Sequence, residues 1–300
     1  MWQSDSECYK ITGKGSDPVE KRKAALVCCS NALPPEAEEI VSHLQQILLE
    51  HGTESVRSAC MFSELSWGHG TARERAEALM AFYEDPGITD IYDISGGDIA
   101  NELLPYLNYD LIRRSAATFY GYSDLTVILN AVFAQTGREG ILWQVRNLVR
   151  NRSTYQCRRF RDGTLFDFDY RFVQGSYMEG IVVGGNIRCF LKLAGTPYFP
   201  DLTGKILLLE AQGGEVPQMM TYISQLTQLG AFDKIKGVIL GTFTKMEKEG
   251  CEPSVEQLLQ QAAPDLPVVK TAQIGHGSDS AAVRIGGFYR FRVSEKQEKF

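Results

Sequence analysis

No run of apolar residues in this chain reaches the length needed to cross a bilayer, which excludes a helical membrane protein. No C-x-x-C pair occurs, and the seven cysteines are an odd number for a disulfide framework. Cys28, Cys29 and Cys189 lie in apolar surroundings, so the pattern fits a reducing cytosol. Positive charge is not in excess: 31 Lys and Arg stand against 37 Asp and Glu, for a formal net charge of -6. A nucleic-acid binder is expected to carry a basic patch or a high pI. The one dense basic stretch holds Arg146, Arg150, Arg152, Arg158, Arg159 and Arg161, and a solvated connector explains it at least as well. Histidine is scarce, at four residues, and no His/Cys/Asp/Glu spacing resembles a zinc or EF-hand site. Neither the P-loop pattern nor G-x-G-x-x-G is present. Nucleic acid, membrane, metal and organic cofactor are therefore not expected as partners. Met1 to Arg22 is polar, lacks a hydrophobic signal region and reads as a frayed tail.

What is present suits a folded enzyme. The 300 residues are 44% hydrophobic, enough for one large or two modest domains. Ala24 to Cys29 is a short apolar run of the kind a buried parallel strand shows. Pro34 and Pro35 suit a helix start, Ile40, Val41, Leu44, Ile47 and Leu48 recur at helical spacing, and Gly52 supplies a stop. Strands are then expected at Ser55 to Phe62, Ile88 to Ile94 and Thr118 to Tyr122. They alternate with helices at Thr71 to Tyr83, Ile99 to Leu107 and Leu125 to Gln135. Such alternation predicts an α/β fold, a parallel sheet with helices on both faces. Arg146 to Gly175 breaks the rhythm and reads as an interdomain connector. A second unit begins near Met178, with buried strands at Lys205 to Leu209 and Gly237 to Leu240 around a helix at Val216 to Gln228. Ala281 to Val293 alternates like antiparallel strands separated by Gly286-Gly287. The expected division is a tail at 1–22, an N-terminal domain at 23–145, a connector at 146–177 and a C-terminal domain at 178–300.

Few residues offer chemistry. Ser123 stands where a strand gives way to a helix. A nucleophile there points out of the sheet edge, and the first N–H groups of the helix suit an oxyanion. A simple N-cap explains the same position. Tyr122 and Leu125 fit G-x-S-x-G less comfortably than small residues would, which disfavours an α/β-hydrolase elbow. His43 falls on the polar side of the first helix, and His51 at that helix's end suits its dipole. His69 precedes the second helix. His276 lies between Gly275 and Gly277 in a loop after the apolar run Leu266 to Val269, where α/β proteins place functional groups. Its glycines would free the backbone to bring the ring close to a partner. A surface histidine remains the competing reading for both His69 and His276. Glu210 ends the run Ile206 to Leu209, so it falls at the ligand edge of the sheet or at an ordinary solvated strand end. Ser95-Gly96-Gly97-Asp98 is a glycine turn that can cradle an anion.

In order along the chain, Gly70-Thr71-Ala72-Arg73, Ser95-Gly96-Gly97, Gly121-Tyr122-Ser123-Asp124, Gly180 to Asn186, Gly195-Thr196-Pro197-Tyr198, Ile206 to Glu210 and Gly275-His276 resemble the LD-carboxypeptidase family of serine peptidases. That family includes muramoyl-tetrapeptide carboxypeptidases and microcin C self-immunity peptidases. The resemblance runs from about residue 23 onward. It implies Ser123 as nucleophile, Glu210 as the acid and His276 as the base of a catalytic triad. Backbone amides near Gly97 and of Asp124 would form the oxyanion hole. It also implies a Rossmann-like N-terminal domain, a smaller β-rich α/β C-terminal domain, a homodimer and a reaction without metal or organic cofactor.

The expected activity is that of a cytoplasmic serine carboxypeptidase removing a terminal D-amino acid from an L,D-bond of murein peptides. The alternatives are hydrolysis of a peptidyl-nucleotide antibiotic and non-catalytic binding of a peptide or nucleotide. The chain departs from the family at Ser95, where many members have Arg. It departs again at Ala211, where many have Asp, and at Ala282-Val283-Arg284, where many have Thr-Leu-Pro. These departures bear on specificity, since the triad positions are intact. The connector has no Trp to stack a nucleotide base; Phe160, Phe166, Phe168, Tyr170 and Phe172 are the substitutes there, or else core residues.

Overall fold

The computed structural model describes residues 22–293, so the expected tail lies outside the described residues except for Arg22. Strands β1 (Arg22–Val27), β2 (Thr53–Arg57), β3 (Ile88–Asp93), β4 (Thr118–Gly121) and β5 (Gly140–Leu142) run parallel in the order β5-β4-β3-β1-β2. Strands β6 (Arg171–Gln174), β7 (Tyr177–Asn186), β8 (Ile206–Ala211), β9 (Gly237–Phe243) and β10 (Val268–Lys270) belong to a second sheet. Its four middle strands, β7-β8-β9-β10, are parallel, and β6 closes one edge antiparallel to β10. Near the end of the chain, β11 (Val283–Ile285) crosses to pair antiparallel with β5, and β12 (Phe288–Arg292) returns to pair antiparallel with β7. The fold is thus α/β with two mixed, mainly parallel sheets. Continuous apolar runs explain the buried strands: every residue of β8 is buried, and so are the last four of β1.

The helices follow from caps and stripes. Helix α1 (Glu38–Glu50) buries Val41, Leu44 and Leu48 at helical spacing. Helix α2 (Ala72–Glu84) starts at a capping box in which Thr71 and Glu74 each accept from the other's backbone N–H. Helices α3 (Tyr109–Arg114) and α4 (Thr126–Thr136) follow, the latter stopped by Gly137. Residues Thr126 to Val132 of α4 are all buried, so the first two turns of this helix have no solvent face to make polar. The reason is its position between the sheets. One hydrophobic cluster joins Phe119, Leu125, Ile128 and Leu129 to Val182, Leu208 and Ile274 of the second half.

Two expectations need correction. Ile99 to Leu107 forms a 3-10 helix over Ala100–Tyr106 rather than an α-helix; Pro105 lies inside it and cannot supply the N–H an α-helix needs there. Ala281 to Val293 does hold two strands, but they do not pair with each other. Each completes the edge of a different sheet, a non-local choice that alternation cannot display.

The 146–177 segment is also more structured than its composition suggests. It contains helix α5 (Ser153–Asp162) and strand β6. Its polar residues are spent on backbone groups: the buried Gln156 donates to Ser280 O at 2.9 Å, and Arg159 Nη2 donates to Thr164 O at 2.6 Å. Asn147 Nδ2 donates to Ser280 Oγ at 3.1 Å, and Ala282 N donates to Leu165 O at 2.8 Å. The segment therefore clasps the loop that carries His276.

A polar seam ties the halves together within the apolar interface. Asn130 of α4 donates to Gly184 O at 2.9 Å and accepts from Gly184 N at 2.8 Å. Thr126 Oγ1 accepts from Asn186 N at 3.1 Å. Asn130 is fully buried, so its loss strands two backbone groups of β7 without water. Asn130→Ala is expected to cost about 2–6 kcal/mol, at about 1–3 kcal/mol for each of the two buried groups left unsatisfied. Urea denaturation measures it; a loss below about 0.5 kcal/mol, the scatter of ordinary surface substitutions, would show that the seam is not a structural tie.

Candidate active site

The segments after the carboxyl ends of β3, β4 and β5 face those after β8 and β10 across one cavity of about 230 Å³. Ser123 stands two residues past the end of β4 and has φ of 56°, the one non-glycine residue among those described with positive φ. That conformation costs about 1–3 kcal/mol and persists only where the surroundings enforce it. Enforcement comes from the next residue. Asp124 is fully buried; its Oδ2 accepts from Ser30 Oγ at 2.7 Å and from Ala100 N at 2.8 Å, and its Oδ1 pairs with Lys192 Nζ at 2.5 Å. On the strand side, Trp143 N donates to Gly121 O at 2.9 Å. The result is a sharp strand-to-helix elbow with Ser123 at its apex, at the junction where the sequence placed it.

His276 stands opposite. Its Nε2 lies 3.0 Å from Ser123 Oγ and its Nδ1 lies 2.8 Å from Glu210 Oε2. Glu210 is fully buried at the end of β8, and its other oxygen accepts from Asn186 Nδ2 at 3.0 Å. A hydroxyl, an imidazole and a buried carboxylate in this order let the imidazole take the hydroxyl proton while the carboxylate fixes the ring and balances the charge that forms. Tyr122 packs edge-on against the imidazole, with ring centroids 4.9 Å apart. Burial first, and the Glu210 charge second, raise the Tyr122 phenol well above its ordinary pKa and keep it neutral.

The glycine before His276 has a different role from the one anticipated. Gly275 does not adopt positive φ; a Cβ there would sit 1.7 Å from Thr242 Oγ1 and 2.9 Å from Thr242 Cβ. It is needed for space, so that the histidine loop can lie against β9. Gly97 needs both space and conformation. Its φ is 134°, and a Cβ would meet Asn31 Oδ1 at 2.1 Å. Asn31 Oδ1 accepts from Asp98 N at 2.9 Å, and Arg188 Nη2 donates to Gly97 O at 3.1 Å, so the turn is held from both sides. Gly97 lines the cavity beside Ser123. Asp124 contributes to the scaffold through its carboxylate, while its N–H lies in the first turn after Ser123, where helix donors lack intrahelical acceptors.

The other histidines stand apart. His43 is exposed, and His51 packs edge-on against Phe160 at 5.6 Å between ring centroids. His69 is not the surface loop residue expected: it is buried, with Nε2 3.3 Å from Cys28 O, and burial followed by the Arg75 charge lowers its pKa. Nor is His276 a surface residue. The structure adds residues to the cavity that sequence reasoning had passed over, including Gln144, Arg146, Asn147 and Arg150. All come from the stretch following β5, whose three residues are too short to stand out by pattern. Phe160, Phe166, Phe168, Tyr170 and Phe172 do not line the cavity; they join the hydrophobic clusters, with Tyr170 edge-on to Phe291 at 4.9 Å between centroids. Among the described residues, no group of three or more His, Cys, Asp and Glu is arranged to hold a metal ion, and no helix is long and apolar enough to cross a membrane.

Known proteins resemble the chain across both halves. Residues 24–142 match the family model of the LD-carboxypeptidase N-terminal domain, and residues 179–291 match that of the C-terminal domain. A murein tetrapeptide carboxypeptidase of Pseudomonas aeruginosa is 24% identical over 286 residues, 88% of this chain and 91% of the relative. A microcin C7 self-immunity protein of Escherichia coli is 25% identical over 257 residues, 72% of this chain and 75% of the relative. The apo structure of a microcin C7 self-immunity protein superposes with a TM-score of 0.80 at 19% identity, covering 92% of this chain and 97% of the other, and so shares its fold.

The space requirement at Gly275 is testable. In Gly275→Ala the loop must move off β9, so the low-field proton resonance of an imidazole N–H bonded to Glu210 should vanish from the NMR spectrum. Gly277→Ala should retain it, because a Cβ there meets only the side-chain end of Asp279. An unchanged resonance in Gly275→Ala would remove the steric argument.

Proposed function

We propose that this chain, which belongs to the LD-carboxypeptidase family, releases the terminal D-amino acid from an L,D-peptide bond of murein peptides in the cytoplasm, acting as a homodimer. The observation that carries the mechanism is the hydrogen-bonded row Ser123–His276–Glu210, with Ser123 and His276 lining one cavity and Glu210 buried behind them. His276 Nε2 takes the proton of Ser123 Oγ as the serine attacks the scissile carbonyl. Glu210, held by Asn186, keeps the imidazole oriented and stabilises its protonated form. The backbone N–H groups of Gly97 and Asp124 receive the oxyanion, and because the elbow is fixed before substrate arrives, little reorganisation opposes this. His276 then protonates the leaving amine, and water attacks the acyl-enzyme by the reverse route. The glycine turn, the elbow and the loop before β11 come from separate parts of the chain, so the reaction needs both sheets in register.

The murein reading rests on the family and on the cavity, where the aromatic side chains of the 160–172 segment are engaged in packing and offer no stacking surface for a base. It is supported by the relative named a murein tetrapeptide carboxypeptidase, which the chain matches over 88% of its length.

Incubation with an L,D-tetrapeptide, and separately with a processed microcin-type nucleotide, followed by mass analysis, is expected to show D-alanine released from the peptide. Ser123→Ala should lower that rate by roughly a thousandfold or more, with the protein still folded. Cleavage of the nucleotide alone would reassign the substrate. Failure of a fluorophosphonate to label Ser123 would leave a binding protein instead. Dialysis against EDTA is expected to leave turnover intact, since the nucleophile is a serine and not a metal-bound water; loss restored by zinc would contradict the mechanism.

A further inference from the structure

The cavity carries a charge that the triad does not use. Its lining contains Ser95, Gln144, Asn147, Gln212 and Ser280 as neutral polar groups, and no Asp or Glu. Its charged side chains are Arg146 and Arg150, one helical turn apart on the segment after β5. In a chain of net charge -6, this is a local excess of positive charge at the reacting serine. Neither guanidinium has a carboxylate within ion-pair distance among the described residues, whereas Arg57, Arg75, Arg113, Arg161, Arg171, Arg188, Arg284 and Arg290 all do.

Arg146 is the more informative of the two. Its Nε is buried and has no hydrogen-bond acceptor among the described residues. A buried donor left without a partner is costly, and such groups ordinarily signal a ligand or water. Burial, then repulsion from Arg150, push Arg146 down to about 10, so it remains charged at neutral pH. Asp93 is the one carboxylate that acts on it, yet both Asp93 oxygens are occupied: Oδ2 accepts from Cys29 N at 2.7 Å, and Oδ1 accepts from Ser95 N at 2.7 Å and Ser95 Oγ at 2.5 Å. Arg150 lies further out and is exposed at the rim.

We infer that Arg146 and Arg150 form the binding site for the free carboxylate of the residue that is released. This rests on the carboxypeptidase reading above and names the part of the site that makes it an exopeptidase. The geometry of the reaction requires such a site close to Ser123. The scissile carbonyl and the terminal carboxylate are one residue apart, and successive Cα atoms are about 3.8 Å apart. The carboxylate must therefore be read within the same cavity as the serine. A guanidinium presents paired N–H donors that match a carboxylate, and a second cation at the rim draws the anion in. A peptide whose chain continued past this point would place an uncharged amide against two arginines.

The test is binding to the full chain carrying Ser123→Ala, read by calorimetry, with N-acetyl-L-lysyl-D-alanine, its C-terminal carboxamide and adenosine monophosphate as probes. The free-carboxylate peptide is expected to bind about tenfold or more tightly than the carboxamide, the scale of a hydrogen bond to a charged group. Adding Arg146→Met or Arg150→Met should erase most of that preference, and Arg146→Lys should retain part of it. Arg150 is exposed, so its substitution tests the site even where Arg146→Met unfolds the chain. Equal affinity for the two peptides, no binding of either, or a preference that survives Arg150→Met together with Arg146→Lys would each refute the carboxylate site. Tighter binding of the nucleotide, lost with the arginines, would refute it in favour of a phosphoryl ligand. Turnover is not read here: a chain that binds as expected but hydrolyses nothing refutes the proposed function and leaves the carboxylate site standing.

Discussion

Everything at this site depends on the buried contact between helix α4 and strand β7. Ser123 sits at the head of that helix, and Asn186, which holds Glu210, ends that strand. The bonds from Asn130 and Thr126 to Gly184 and Asn186 therefore set the distance between the nucleophile's half and the acid's half. A proton can pass between Ser123 and His276 only at hydrogen-bond reach, about 2.6–3.2 Å, which is finer than apolar packing alone specifies. Hydrophobic burial brings the sheets together; directional bonds to backbone groups select one registration among the many that burial would accept.

The same division of labour appears at the elbow. Apolar packing places β4 and α4, but the strained backbone of Ser123 is secured by Asp124, whose carboxylate reaches Ser30, Ala100 and Lys192 at once. Those three partners come from the loop after β1, the turn after β3 and the second half of the chain. The residue beside the nucleophile thus reports on the correct assembly of most of the site. An Asn in its place would keep the size and lose the charge that Lys192 balances.

Much of this was legible in the sequence. Strands buried on both faces announce themselves as apolar runs, and β1, β3, β8 and β9 are found within a few residues of where those runs lie. Helices with caps and one apolar stripe, such as α1 and α2, are equally plain. Ser123, Glu210 and His276 could be singled out because each lies at or after the carboxyl end of a strand, although pattern alone favoured a cap and a surface histidine and left an ordinary strand end open for Glu210; the ordered family motifs pointed to all three. What stayed hidden was non-local. The parting of β11 and β12 into separate sheets depends on edges supplied by distant strands. The polar 146–177 segment read as solvated because composition cannot reveal that Gln156, Arg159 and Asn147 satisfy buried backbone and hydroxyl groups. The cavity arginines were lost for the same reason, counted with their neighbours as a charged run when what sets them apart is their place in the lining of the cavity.

The excursion of β11 into the first sheet has a consequence for the order in which the chain is made. The nucleophile's sheet is nearly complete once residue 142 has been synthesised, yet its β5 edge stays open until residues 283–285 arrive, roughly another 140 residues later. At the 5–20 residues per second typical of translation, that wait is on the order of ten seconds. His276 is delivered only a few residues before the strand that seals this edge. On the proposed mechanism the base therefore reaches the serine at almost the same moment as the sheet closes, and a partly synthesised chain would hold a nucleophile with nothing to activate it.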